Sequence, residues 1–137
     1  MTNTSLASSY LVKARHRLKV LAVLLDDGAF SDVVREAQEV VELALKGMLR
    51  QVGVEPPRWH DVGQLLDEHR RRFTPAVVES LPRLIDASGW LRKEREFAFC
   101  GDIDFIPTER YSRADAARAV EAAEFAVHTA ALVIPGR

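Results

Sequence analysis

Residues 30–51, FSDVVREAQEVVELALKGMLRQ, decide the fold because they carry the strongest helical pattern in the chain. Apolar residues recur every three or four positions, and charged residues fill the positions between them. This period is typical of an α-helix with one face in a core. Gly53 and the Pro56-Pro57 pair that follow cannot continue the helix. The pattern therefore predicts a helix from about Phe30 to Gln51 with this apolar stripe: Val34, Ala37, Val41, Ala44, Leu45, Met48 and Leu49.

Helical spacing also appears on either side of this segment. A first helix is predicted from about Ser8 to Asp26, and Gly28 can take the left-handed conformation that commonly ends a helix. A shorter amphipathic helix, which includes Leu65 and Leu66, follows the proline connector. The cations of the first helix mostly lie opposite its apolar side, and they are Lys13, Arg15, Arg17 and Lys19.

The second half of the chain predicts two longer helices. Thr74-Pro75 marks the start of one that continues to about Phe99, although Pro82 and Ser88-Gly89 indicate a kink or break within it. Residues 100–111 read as a loop, and the capping box of residues 112–115 starts the last helix. No strand pattern is present. We expect an all-α fold, an up-and-down bundle of about five helices in a single domain, residues 1–137.

Composition limits the function classes. Lys and Arg number 19 and Asp and Glu 20, so a strongly basic surface for non-specific phosphate binding is absent in bulk. Cys100 is the single cysteine, which excludes an internal disulfide and a thiolate metal cage. The polar residues 1–10 lack the apolar core of a signal peptide, and no apolar run approaches the roughly 18–20 residues of a membrane span. We expect a cytoplasmic protein that does not enter a membrane.

Two groups that resemble catalytic residues have simpler explanations. His60-Asp61 is the kind of pair that metal phosphohydrolases use, but the other three histidines show no metal-ligand spacing. We therefore expect Asp61 to cap the next helix. The upstream Arg95 would lower the pKa of Cys100, yet a lone cysteine near a helix end is more often a small packing residue. Neither a metal nor a cofactor is expected.

The most informative charged cluster is RKEREFAFCGD at residues 92–102. Arg92 and Arg95 are three residues apart and share one helical face, where two guanidinium groups could converge on a phosphate or a partner's carboxylate. An equally weighted interpretation is a solvated face with internal Arg–Asp pairs. The alternative places Arg95 in a polar groove of the bundle.

Two stretches of the chain occur in a recognisable order and spacing. The first is AQEVVELALKGML at residues 37–49, followed by Gly53, the two prolines, His60-Asp61-Val62 and Leu65-Leu66. The second is REFAFCGD at residues 95–102, followed by Ile106-Pro107, Tyr111 and Asp115-Ala116-Ala117. Together they cover nearly the whole chain and resemble the HEPN family of helical domains, of the nucleotidyltransferase-associated type.

The resemblance implies a bundle that commonly dimerises and frequently has a small nucleotidyltransferase as partner in a toxin–antitoxin-like pair. Many members are metal-independent ribonucleases, in which an Arg, then four to six residues, then a His form the active site. In this chain Arg95 is in the corresponding region, but Cys100, Gly101 and Asp102 stand where the His is expected. The ribonuclease mechanism would therefore lack its titrating imidazole.

These observations leave three functions open. The leading one is a non-catalytic subunit that forms a homodimer, docks a nucleotidyltransferase and holds a nucleotide or RNA at Arg95, Asp102, Glu42 and Lys46. In it, Arg95 meets phosphate or a partner acid, Lys46 adds positive charge and Asp102 orients Arg95. The competing function is a metal-independent ribonuclease toxin that uses Arg95, the one catalytic candidate, with an unconventional base. The third is a structural dimeric scaffold whose groove residues pair with each other.

Overall fold

The computed structural model describes residues 2–56, 58, 61–99 and 111–135, with the backbone alone for residues 95–99. These residues form five α-helices and a 3-10 turn, Arg70–Arg72, and no strand occurs among them. The prediction of an all-α helical bundle is confirmed. The helices are α1 Asn3–Asp26, α2 Phe30–Gln51, α3 Val62–Glu68, α4 Pro75–Phe99 and α5 Arg113–Val133.

Helix α2 is the centre of the bundle. Its bounds are those that the sequence predicted, and α1, α3, α4 and α5 all pack against it. Its apolar stripe is fully buried, and the buried side chains include Leu45, Met48 and Leu49. Both predicted helix-ending glycines have positive φ, 75° at Gly28 and 82° at Gly53, a conformation that costs glycine little. These two turns fix the length of α2.

Helix α1 begins earlier than the sequence predicted. Its first residue is Asn3 rather than Ser8, because Thr2 and Ser5 form a capping box. The Ser5 backbone N–H donates to Thr2 Oγ1 at 3.1 Å, and the Thr2 N–H donates to Ser5 Oγ at 3.1 Å. Two N–H groups that a helix start leaves unpaired are thereby satisfied.

Helix α4 runs without interruption from Pro75 to Phe99, so of the kink or break predicted at Pro82 and Ser88-Gly89 the break does not occur. A proline inside a helix removes one backbone donor, but it does not oblige the helix to end. Leu81, Leu84 and Leu91 are buried on both sides of this position, and their burial holds the two halves of α4 in the core. The predicted start at Pro75 is confirmed.

Helix α5 starts at the predicted capping box. The Asp115 N–H donates to Ser112 Oγ at 3.2 Å, and the Ser112 N–H donates to Asp115 Oδ2 at 2.9 Å. The predicted loop of residues 100–111 lies outside the described residues except for Tyr111. None of the helices in the described part of the chain has the length and apolarity that crossing a membrane requires.

Candidate functional site

Gln38, Glu42 and Lys46 form a row one helical turn apart along α2, which we call the α2 polar row. Lys46 Nζ lies 3.2 Å from Glu42 Oε1, and Gln38 Nε2 donates to Glu42 Oε2 at 3.1 Å. Both oxygens of the Glu42 carboxylate are therefore engaged by neighbours on the same helix. The structure brings Glu42 and Lys46 together, as their spacing of four residues requires.

The α2 polar row lies at the edge of the core rather than on a fully solvated face. The side chains of Lys46 and Glu42 are 27% and 29% exposed, whereas those of the surface pair Arg70 and Asp67 are 62% and 49% exposed. Gln38 is buried, with 4% of its surface exposed. An ion pair in this position is less screened by solvent than a surface pair. One of the three N–H donors of Lys46 is used by Glu42, which leaves donors for a phosphate oxygen.

The amide oxygen of Gln38 is the unusual atom of this row. No hydrogen-bond donor among the described residues reaches Gln38 Oε1, although the atom is buried. Its orientation follows from the hydrogen bond that Nε2 donates to Glu42, which leaves Oε1 pointing away from that carboxylate. A buried acceptor without a partner costs about 1–3 kcal/mol. Such groups are rare in native proteins, and each one calls for an explanation, such as an ordered water, an ion or a role in binding.

Only part of the predicted site falls within the described residues. Arg95 lies in the last turns of α4, where the structure gives the backbone alone, and Asp102 lies outside the described residues. The roles that the sequence assigned to these two residues remain predictions. They would join the α2 polar row only if their side chains reach Glu42 and Lys46.

Arg92 has a local partner. Its Nη1 lies 3.4 Å from Asp61 Oδ2, while Asp61 Oδ1 accepts the Gly63 N–H at 3.0 Å. Asp61 is thus the N-cap of α3, as predicted, and the same carboxylate ties α3 to α4. For Arg92, this geometry agrees with the interpretation of internal Arg–Asp pairs. His60 lies outside the described residues.

A second polar feature lies where α4 meets the start of α5. Tyr111 Oη donates to the Glu94 backbone carbonyl at 2.9 Å and lies 3.0 Å from Glu94 Oε2. Together with Trp90 and Asp115, these residues line an open cavity of about 270 Å³. The Arg118 guanidinium stacks 3.9 Å from the centre of the Trp90 ring. Two carboxylates in the wall make this cavity unsuited to phosphate.

The described histidines of α3 and α5 lie far from Arg95 within one subunit. His69 ends α3 before the start of α4, and the 20 residues from Pro75 to Arg95 span about 30 Å at 1.5 Å per residue. His128 is 15 residues beyond the start of α5, which places it about 22 Å along that helix from the corner beside Glu94. A general base must reach its proton within hydrogen-bond distance, directly or through one water. Neither imidazole meets this requirement at Arg95.

His16 lies on the exposed side of α1, which packs mainly against α2 and α5.

The sequence did not single out Gln38, which the structure joins to Glu42. A signal for it exists, because Gln38 precedes Glu42 by one helical turn and interrupts an otherwise apolar side of α2.

Comparison with known families gives one match. The family model described as HEPN domain matches residues 7–132, which is most of the chain and includes the α2 polar row and Arg95. No curated protein sequence matches the chain.

Proposed function

The chain belongs to the HEPN family, and we propose that it is a binding subunit of a two-component, toxin–antitoxin-like system, which forms a homodimer, acts with a nucleotidyltransferase partner and binds a nucleotide. Membership of the family supports the homodimer and the nucleotidyltransferase. The α2 polar row supports the nucleotide, and it is the observation on which that part of the proposal rests.

The α2 polar row has the chemistry of a preorganised cation. Glu42 is held by Gln38 on one oxygen and contacts Lys46 with the other, which places the ammonium beside this carboxylate at the core edge. A phosphate there would receive hydrogen bonds from Lys46, whose charge Glu42 balances. In this proposal Arg95 therefore supplies the net positive charge, and Asp102 orients Arg95. Charge-assisted hydrogen bonds of this kind are about twice as strong as neutral ones. Because an i,i+4 ion pair is worth only a few tenths of a kcal/mol, Lys46 can share its donors with a ligand at small cost.

The alternative, a metal-independent ribonuclease toxin, gains no support from the described geometry. Its reaction requires a base near Arg95, but in the same subunit about 30 Å of α4 separates Arg95 from the end where His69 lies, and about 22 Å of α5 separates His128 from the corner beside Glu94. The imidazole would have to come from the second subunit or from outside the described residues.

Nucleotide binding is tested by thermal unfolding with and without ATP. At an ATP concentration about 100 times Kd, we expect the Tm of the wild type to rise by roughly 9 °C. Lys46→Gln should weaken ATP binding about 10-fold or more, because it removes a charge-assisted hydrogen bond. Arg70→Gln is the matched control, since it removes a cation from a solvated ion pair and should leave ATP binding unchanged.

The assembly is tested by mass and by co-purification. Light scattering should give twice the 15.3 kDa of the chain. A nucleotidyltransferase encoded by the adjacent gene should co-purify with the chain when the two are co-expressed. If ATP leaves the Tm unchanged and no such partner co-purifies, the proposal fails. Cleavage of single-stranded RNA without metal, abolished by Arg95→Ala, would establish the ribonuclease instead.

A further inference from the structure

The charges of α1 are distributed differently from those of the rest of the chain. Residues 3–25 contain Lys13, Arg15, Arg17 and Lys19 and no Asp or Glu. They carry a formal charge of +4, which Asp26, the last residue of α1, reduces to +3 for the whole helix. The total charge of the chain is -1, so the remaining residues together are acidic. Positive charge is thus concentrated on α1, although the net charge of the whole chain is close to zero.

Only one of these four cations is neutralised inside the described structure. Arg17 Nη1 lies 2.8 Å from Glu36 Oε1 on α2, and this hydrogen bond raises the pKa of the guanidinium. Lys13, Arg15 and Lys19 have no carboxylate within ion-pair distance among the described residues. The cations of α2 differ, because carboxylates lie beside all of them: Arg35, Lys46 and Arg50.

Three valines are exposed between these unpaired cations. Val12, Val20 and Val23 are between 43% and 68% exposed, and they are three of the four large hydrophobic side chains in the described residues with that much exposure. At 100° per residue, Val23 lies about 20° around the helix from Val12, and Val20 lies about 80° from it. The valines form a strip about 16 Å long, or three helical turns, which the exposed His16 interrupts about 40° around the helix from both Val12 and Val20. We call Val12, Val20, Val23 and the flanking Lys13, Arg15 and Lys19 the α1 outer face.

The cations lie on both sides of the valine strip. At 100° per residue, Lys13 lies about 20° beyond Val20 on one side, and Lys19 and Arg15 lie about 20° and 60° beyond Val12 on the other. Asp26 and Asp27 follow Val23 by three and four residues, so the cationic flanks extend only over the part of the strip before Val23. This is the complement of an amphipathic helix that has apolar residues along one line and Asp or Glu on both flanks. Apolar contact would bury the valines, and the acidic flanks would meet the unpaired cations.

We propose that the α1 outer face docks an acidic amphipathic helix of a partner protein. A second copy that docks through its own α1 is a poorer occupant, because it would bring Lys13, Arg15 and Lys19 against the same cations. RNA is also poorer, because its phosphates would neutralise the cations but leave the three valines against a charged backbone. The identification of the partner as the nucleotidyltransferase rests on the proposed function, whereas the chemistry of the surface does not.

A synthetic helix provides the first test. The probe is a fluorescein-labelled, 18-residue peptide with Leu at helical positions i, i+4, i+7 and i+11 and with Glu on both flanks. We expect it to bind the full chain in fluorescence anisotropy, more weakly as salt rises. The same peptide with Lys flanks should bind at least about 10-fold more weakly. Equal binding of the two peptides would overturn the proposal.

Variants of the chain locate the site. The double variant Val12→Ser/Val23→Ser should weaken Glu-flanked peptide binding about 10-fold or more, since the strip loses two of its three valines. Leu132→Ser, at the exposed hydrophobic residue of α5, is the matched control and should leave binding unchanged. Lys13→Glu/Lys19→Glu should reverse the preference in favour of the Lys-flanked peptide. Circular dichroism checks that each variant folds.

RNA or a second copy of the chain on the α1 outer face would give results different from those expected for a partner helix. If a 20-nucleotide single-stranded RNA binds in place of the peptide and Lys13→Glu/Lys19→Glu abolishes that binding, the surface is for nucleic acid and the proposal fails. If Val12→Ser/Val23→Ser converts a dimer into a monomer in light scattering, the occupant is a second copy and the proposal fails.

The co-purified nucleotidyltransferase separates this inference from the proposed function. A complex with it that persists in Val12→Ser/Val23→Ser would overturn the nucleotidyltransferase as the occupant of the α1 outer face while the proposed function stands. Selective peptide binding without any nucleotidyltransferase partner would support the docking site while the proposed function fails.

Discussion

The buried amide of Gln38 gives the sharpest test of whether the α2 polar row exists for stability or for binding. The variant is Gln38→Met, which keeps a straight side chain of similar length and removes both polar atoms. If the row serves ligand binding, this change should leave the fold intact and weaken ATP binding, because Glu42 loses the hydrogen bond that positions it for Lys46.

The expected change in the free energy of unfolding of Gln38→Met is the sum of two opposing contributions. Removal of a buried acceptor that no described residue satisfies gains about 1–3 kcal/mol. Loss of the hydrogen bond from Nε2 to the Glu42 carboxylate costs about 1.5 kcal/mol, near the lower end for charged acceptors, because Glu42 is partly exposed and keeps Lys46. We therefore expect the free energy of unfolding to stay within about 0.5 kcal/mol of the wild type or to rise by as much as about 1.5 kcal/mol.

The assay is urea unfolding monitored by circular dichroism. The midpoints of variant and wild type are compared where the slope m of free energy against urea concentration is the same. Gln51→Met is the matched control, since Gln51 Oε1 is also buried without a partner among the described residues but lies outside the α2 polar row. It should leave ATP binding unchanged. A loss of more than about 2 kcal/mol in Gln38→Met would refute the reasoning, because it would mean that Oε1 has a strong partner and that the row is structural.

Three further predictions concern the fold. Asp61→Ala should lower the free energy of unfolding by about 1–2 kcal/mol, since it removes the cap of α3 and the partner of Arg92. Asp61→Asn keeps a capping oxygen and should recover most of that loss in urea unfolding. Gly28→Ala should lower the free energy of unfolding by about 1 kcal/mol in the same assay. The φ of 75° is the cause of this loss, because an added Cβ meets no atom within 4 Å. An unchanged midpoint would contradict this. Leu91→Ala should lower stability by about 2–5 kcal/mol, and a loss below about 1 kcal/mol would show that the middle of α4 packs loosely.

The sequence predicted those parts of the fold that local chemistry determines. The bounds of α2 follow from two glycines whose positive φ ends a helix, Gly28 and Gly53. The start of α1 was missed because its capping box pairs two hydroxyls, Thr2 and Ser5, where the usual pattern has Glu or Gln at the third helical position. The predicted break at Pro82 failed because burial of the leucines around it outweighs the loss of one hydrogen bond.

In the candidate site, too, local sequence predicts some contacts, whereas others depend on how the helices pack. The contact between Glu42 and Lys46 could be predicted because residues four apart on a helix are neighbours. The specific pair of Arg92 with Asp61 joins residues 31 positions apart, and only the packing of α3 on α4 brings them together. Gln38 was overlooked because its burial depends on the helices around α2, which the spacing of its own residues does not reveal.

The two proposed surfaces lie on different sides of the bundle, and this determines how they can act together. Helix α1 packs on the side of α2 that holds Glu36 and Gly47, since Arg17 binds Glu36 and a Cβ at Gly47 would touch Tyr10. That side is about 120–140° around α2 from Glu42. The α1 outer face lies farther out on the same side. One ligand cannot contact both surfaces, so a nucleotide on α2 and a partner helix on α1 do not compete for space. Substitutions in the two surfaces share no partner and should therefore act additively, which allows each function to be removed while the other is retained.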